Sequence, residues 1–421
     1  MSITTEINRP IHAIVRRAYI KRRLATTGLY ETSWFEITDF VRQWGKTNIS
    51  VDDLRLFRFT HSGLDLVVDN STGAFNHELD SASLWLGYLT RYRTLVKIEA
   101  GYVDDTDAEL PTDLSQGVFI MDDEVVVRGN SYDVVLKCKS LQSTLAEVRI
   151  TEVPSIGATG TASDLVGRIR DHTDGAGTPI FRQFITSTAW TIQATTNQYN
   201  FATSTSLENL SCWDFMNKLA EVEGYLLFIN RTGGLEFRDR NERTSTSQFT
   251  FNGHGFREMN IVNVGEFKEA FNKYFNYFRY KWTEADTLTS YVTAGTNTVV
   301  DPSNTSWKFG VRRYEFENTF APTSTVAQTV VNNLFTLFQT VKKEIKMTSL
   351  FVPQLEISDK VTINYNSDSL VAEGLIWDAG NWDDEVWYDS AAISINNANY
   401  KIISKQHDLD KMTSNLVLRE I

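Results

Sequence analysis

The sequence predicts a mainly β protein with an α+β portion set between two β-rich regions. Three observations predict it. From Tyr30 to Leu145 the chain is a series of short segments rich in β-branched and aromatic residues, each bounded by turn residues. From Phe271 to the end the same texture returns. Between them lies one well-marked helix followed by a hairpin.

The first β region holds "SWFEITDFV", "LRLFRFT", "LDLVVDN", "TLVKIEAGYV", "GVFIMDDEVVVRG" and "YDVVLKCKSL". Regular spacing of such segments suggests a barrel or a sandwich. From about Thr151 to Thr205 apolar density falls and Gly, Ala, Thr and Ser dominate. That stretch is expected to be a linker with one short helix near "ASDLVGRIRDH". In "SCWDFMNKLAEVEGYLLFINRTGGLEFRDR", Ser211 with Asp214 marks a helix start. Trp213, Met216, Leu219 and Ala220 share one face, and Gly224 is a natural stop. "YLLFIN" and "LEFRDR" then form a hairpin around "RTGG". A second helix is expected with Thr325 and Gln328 as its capping box. Val326, Val330, Leu334, Leu337, Phe338 and Val341 form its apolar stripe, and Lys342 and Lys343 its basic end.

Composition narrows the function. With 41 Lys and Arg against 53 Asp and Glu, the net charge is −12, which disfavours stable binding to nucleic acid. No apolar run is long enough to span a membrane. "MSITTEINRP" lacks the apolar core of a signal peptide. Cys138 and Cys212 make no disulfide framework and fit assembly in a reducing cytosol. One basic run, "RPIHAIVRRAYIKRRL", reads either as a solvated face of a strand or helix or as an arm docking on an acidic neighbour.

Motifs of catalysis are missing. There is no phosphate loop, no GxGxxG after a strand, no HExxH and no GxSxG. The six histidines share no ligand spacing. "DDTDAEL" offers Asp105, Asp107 and Glu109 but lacks the glycine and distal glutamate of a calcium loop. No enzyme activity, cofactor or metal is expected.

The feature that stands out is "WDAGNWDDEVW", with Trp377, Trp382 and Trp387 five residues apart. In a strand, this spacing puts successive tryptophans on opposite faces. In a helix they would sit about 140° apart. Neither makes a flat platform. The run reads as two arms with a turn at Ala379 to Asn381, packed on a neighbouring subunit or on the protein's own sheet. Sugar stacking on the tryptophans, or a metal held by Asp378, Asp383, Asp384 and Asp389, are the alternatives.

Three stretches resemble the baseplate-hub, or tail-tip, proteins of long-tailed bacteriophages. They are Leu64 to Val103, the capped helix and hairpin from Ser211 to Arg240, and the pair "LEISDKVTINY" and "YKIISKQHDLDKMTSNLVLRE". The family often has glycine where this chain has Ser358. The resemblance implies two β-barrel-like domains with a smaller α/β portion, and three copies in a ring that continues the tail tube. The units expected are a basic N-terminal arm (1–28), a first barrel (29–150), a linker or insert (151–205), a helix–hairpin portion (206–270) and a second barrel (271–421). Asp122 to Leu141 and Ala391 to Asp410 share a strand, turn, strand shape that hints at duplication. The function implied is a structural tail hub, assembled in the host cytoplasm and carried in the virion tail tip, that forms part of the DNA-ejection channel. Its partners would be further copies (a homotrimer), the distal tail ring, the tape measure and tip or fibre proteins. The alternatives are a distal tail ring protein, or a glycan-binding or glycan-cleaving tail protein.

Overall fold

The computed structural model describes residues 6–7, 13–24, 29–52, 58–61, 63–75, 94–122, 126–127, 132–174, 177–201, 207–240, 245–253, 259–283, 287, 291–295, 311–366 and 394–421. Two large β-sheets face one hydrophobic core, and an α/β unit builds a second core against the outer side of the first sheet.

The first sheet is antiparallel throughout. From one edge its strands are Phe35–Glu36, Ala13–Lys21, Leu95–Val103, Ser115–Met121, Asp133–Ser140, Leu64–Asp69 and Val41–Gln43. The two edge strands are neighbours in sequence, joined by a 3-10 turn at Thr38–Phe40. Residues 35–43 therefore touch both edges and close the sheet into a barrel-like form. Ala18 marks where they leave the first edge: its N–H donates to Thr38 Oγ1 at 3.1 Å and its carbonyl accepts from Ile37 N at 2.8 Å. The basic run contains Ala13–Lys21, which is a paired strand of this sheet rather than a free arm.

Period-two alternation assigns each strand's faces. Leu64, Leu66 and Val68 point into the core between the sheets. In the middle strands both faces are buried. Val96, Ile98, Phe119 and Met121 face the first core, while Leu95, Val118 and Ile120 face the second. The hairpin strand Tyr225–Ile229 divides likewise, with Leu226 and Phe228 in one core and Leu227 and Ile229 in the other.

The second sheet runs Ser247–Asn252, Lys360–Asn366, Ser394–Asp408, Thr413–Glu420, Lys343–Leu350, Ile261–Glu269. Only the first pair is parallel. Asn260 brings its two edges together. Asn260 N donates to Asn252 O at 2.8 Å and its side-chain oxygen accepts from Asn252 N at 2.9 Å, while its carbonyl accepts from Leu350 N at 2.9 Å. The N-terminal strand Lys46–Asp52 pairs with Ser394–Asp408 in this sheet, and Arg58–His61 pairs alongside it. Residues expected in the first barrel thus complete the second. The proposed repeat also differs in kind. Val126–Val127 and Asp133–Ser140 are a hairpin, whereas Ser394–Asp408 is one bulged strand of 15 residues.

The segment expected to be a linker is packed. Val153, Ile156, Leu165, Ile169, Phe181 and Trp190 are all buried in the second core. Its helix, Ala162–Arg170, starts in a capping box between Thr161 and Asp164. The Cys212–Glu223 helix forms where expected. Ser211 Oγ accepts from Asp214 N, the four apolar residues read as one face are buried, and Gly224 ends it at φ +71°. The later helix is Ser324–Phe338, its cap two residues before the expected one. Thr323, not Thr325, accepts from Val326 N, and Gln328 instead donates to Thr293 O and Asn332 Oδ1. Lys343 opens the next strand. Cys138 and Cys212 are free and buried.

Ser358 is fully buried with φ +70°, a conformation that suits glycine. Its N–H donates to Ile402 O at 3.0 Å, so the turn is held in place, while its hydroxyl has no hydrogen-bond partner among the described residues. Replacing Ser358 by glycine is expected to raise unfolding stability by roughly 1 kcal/mol, because left-handed strain and an orphaned hydroxyl both vanish. Urea denaturation of the two proteins checks this; a less stable glycine variant would contradict it.

Candidate functional site

Trp377, Trp382 and Trp387, with Asp378, Asp383, Asp384 and Asp389, lie outside the described residues. Among the described residues, no group of three His, Cys, Asp or Glu side chains is placed to hold a metal ion. In the acidic loop the carboxylates have internal work. Asp104 accepts from Thr106 Oγ1, Thr106 N and Ala108 N at 2.6, 2.8 and 3.0 Å. These bonds, that from the Thr106 hydroxyl foremost, hold its carboxyl well below the usual range. Glu109 pairs with Arg17.

The basic run is also engaged within the chain. Arg16 donates to Leu409 O at 3.0 Å and lies over the Trp44 ring, Arg22 pairs with Glu31 at 2.6 Å, and Arg23 donates to Gln183 at 3.0 Å. Lys97 sits over the Tyr19 ring at 4.3 Å.

Two open clefts stand out among the described residues. One, of about 750 Å³, runs beside the Ala162–Arg170 helix. Its carboxylates, Asp164 and Asp171, are both held below their ordinary range: Asp164 chiefly by the Thr161 backbone N–H, Asp171 chiefly by Arg170. A general acid for glycoside cleavage needs the opposite shift. The other cleft, of about 400 Å³, is lined by Arg231, Thr232, Glu236, Arg238, Gln354 and Glu356 among others. It lacks the apolar and aromatic walls of a small-molecule site.

That second cleft lies over a buried polar junction where three parts of the chain meet. The tip of the hairpin, Asn230 to Gly234, reaches both sheets. Arg231 donates to Asp113 O at 2.8 Å and Ser115 O at 3.1 Å, and Ser115 Oγ donates to Arg231 O at 2.8 Å. On the other side Glu356 Oε1 accepts from Arg231 N at 2.8 Å. Glu356 also lies 3.7 Å from Arg231 Nε and 3.8 Å from Lys405 Nζ. Lys405, 3% exposed, donates to Leu355 O at 2.6 Å. The 351–359 segment fastens directly to the first sheet: Tyr102 donates its hydroxyl to Phe351 O at 2.8 Å, and Gln116 donates to Pro353 O at 3.2 Å. Asp410 accepts from Trp44 N and Gly45 N at 2.8 and 3.2 Å. These bonds make the two sheets and the hairpin one body.

Sequence reasoning identified the hairpin turn but not its role. The signal that could have pointed to it is parity. In "YKIISKQHDLD", Ile403, Lys405 and His407 are all buried at alternating positions, so two charged or titratable residues occupy places where the pattern calls for apolar ones.

No family model and no curated protein matches the sequence. Solved structures do match. A tail protein from Neisseria meningitidis MC58 is 12% identical and superposes with a TM-score of 0.54 over 97% of each chain. The 43 kDa tail protein of prophage MuSo2 from Shewanella oneidensis is 11% identical, with a TM-score of 0.50 over 96% of this chain and 98% of that one. Prophage tail protein gp18 from Listeria monocytogenes EGD-e is 11% identical, with a TM-score of 0.51 over 96% and 94%. The chain has the fold of these phage tail proteins from end to end.

Proposed function

We propose, from that fold, that this chain is a structural protein of a bacteriophage tail, acting as the hub that joins the tail tube to the tail tip or baseplate. The observation that carries the reading is the length of the likeness, which covers 96–97% of this chain in three tail proteins. The chain's own construction supports it. The junction of Arg231, Glu356 and Lys405 joins the two sheets through buried charged contacts, which suits a load-bearing ring subunit.

In this reading three copies surround a channel, contacting one another head to tail as ring closure requires. The neighbours are the distal tail ring, the tape measure and tip or fibre proteins, and the location is the virion tail tip. DNA would pass through without being held; a net charge of −12 disfavours phosphate contacts. A distal tail ring is the second reading. Two barrel-like sheets in one chain favour the hub over a ring protein with a single barrel.

Electron cryo-microscopy of the purified tail, or of the expressed protein, tests the reading through copy number and symmetry. Three copies around a continuous channel are expected. Six would favour the distal ring. A peripheral position without a ring would overturn both and favour host-glycan recognition.

A further inference from the structure

His407 has no task in a purely structural account of the junction, and its surroundings are unusual for a histidine. It is fully buried on the Ser394–Asp408 strand. Nδ1 meets Ser414 Oγ from the neighbouring strand at 2.8 Å, while Nε2 has no hydrogen-bond partner among the described residues. Its ring stands edge-on to Phe351, centroids 4.8 Å apart. Phe351 is the residue whose carbonyl accepts from Tyr102 of the first sheet. The imidazole thus underlies the segment that fastens the two sheets together.

The charges facing it leave no room for another cation. Lys405 comes from its own strand and Arg231 from the hairpin tip, and both act on it. The 351–359 segment brings Glu356 and Asp359. Glu356 is already shared between Arg231 and Lys405, and Asp359 accepts from Glu356 N at 2.7 Å. Asp408, next along the strand, is bound to Lys46 at 3.1 Å.

We propose that this junction is an acid-responsive latch: a proton gained by His407 releases the 351–359 segment and the hairpin tip from the first sheet, while each sheet keeps its own strand pairing. A third cation with no acceptor for its second N–H cannot remain in that buried site, so the contacts over it must open to water. Burial, reinforced by Lys405 and Arg231, pushes the folded imidazole well below its ordinary value of 6.5. In the open form it titrates near 6.5. Between these two values the open form binds more protons, so the closed latch loses stability as pH falls below about 6.5.

Hydrogen exchange of the full chain, corrected for the intrinsic pH dependence of amide exchange, tests this. Between pH 8 and pH 5.5 the opening constant of peptides covering 351–359 and 230–234 is expected to rise about tenfold, as for one proton taken up by a group near 6.5. Peptides from Leu95–Val103 and Thr413–Glu420 should change less than twofold. In the His407→Gln variant, which keeps a partner for Ser414 but cannot titrate, the acid response should disappear. An equal response in that variant would overturn the proposal. Should the variant not fold, the onset in the unmodified chain decides: opening that begins only below about pH 5 belongs to carboxylates and sinks the idea.

Discussion

Replacing Glu356 by alanine is expected to destabilise the chain by about 3–5 kcal/mol, among the largest effects of any single polar substitution in it. Glu356 is 5% exposed and is the carboxylate within 4 Å of both Arg231 and Lys405. Arg231 keeps Asp113 and its backbone carbonyl acceptors when the carboxylate goes. Lys405, 3% exposed, loses the carboxylate that stands 3.8 Å from its ammonium, while its bond to Leu355 O at 2.6 Å is to a neutral carbonyl that cannot balance the charge. The cost is therefore that of a stranded charge rather than of a lost attraction. Two measurements check this by urea denaturation. Glu356→Ala alone should show the full loss, and Glu356→Leu combined with Lys405→Met should recover most of it, because an apolar pair has no charge to strand. A single variant losing less than about 1 kcal/mol would mean that water already reaches Lys405.

This junction also shows what the sequence could and could not convey. Elements governed by local chemistry were legible: the Cys212–Glu223 helix from Ser211 and Gly224, the hairpin from "RTGG", and the Leu64–Asp69 strand from its alternation. The fold class was legible for the same reason, since texture alone distinguishes two β regions from a helix-bearing middle. Partnership at long range was not. Nothing near Lys46–Asp52 says that its partner is Ser394–Asp408, and nothing near Glu356 says that it will meet Arg231. The low-apolar stretch 151–205 was misleading because its core residues, such as Phe181, Ile185 and Trp190, are sparse and widely spaced. The offset cap at Thr323 shows a related limit: three of the four residues from Thr323 to Val326 are Ser or Thr, and only tertiary packing selects among them. The tryptophans that drew attention first lie outside the described residues, while the residues at the junction looked ordinary.

Gly233→Ala is the second large effect. Gly233 has φ +82°, and a Cβ there would stand 2.8 Å from Val118 Cβ and 2.9 Å from Val118 Cγ2. Val118 is on a central strand of the first sheet, buried and unable to withdraw. Left-handed strain of about 1 kcal/mol and overpacking of about 1–3 kcal/mol should together cost about 2–4 kcal/mol. Gly224→Ala is the control. It has a similar φ of +71°, but its Cβ would meet nothing closer than Arg240 Cζ at 3.9 Å, so only the strain, about 1 kcal/mol, remains. Thermal and urea denaturation of both variants separate the two contributions. Equal losses would show that the hairpin tip does not bear on Val118 as tightly as its position implies.

The pairing of Lys46–Asp52 with Ser394–Asp408 has a consequence for synthesis. A chain leaving the ribosome exposes Lys46–Asp52 long before its partner strand Ser394–Asp408. No single cut in the chain yields two self-sufficient halves, since any cut between them removes a strand that the second sheet needs. Completion of the second sheet must then wait for Ser394–Asp408, and until that strand is made a nascent chain carries Lys46–Asp52 without it. Products that stop short of Ser394–Asp408 should consequently fail to fold fully, because the second sheet is left unfinished.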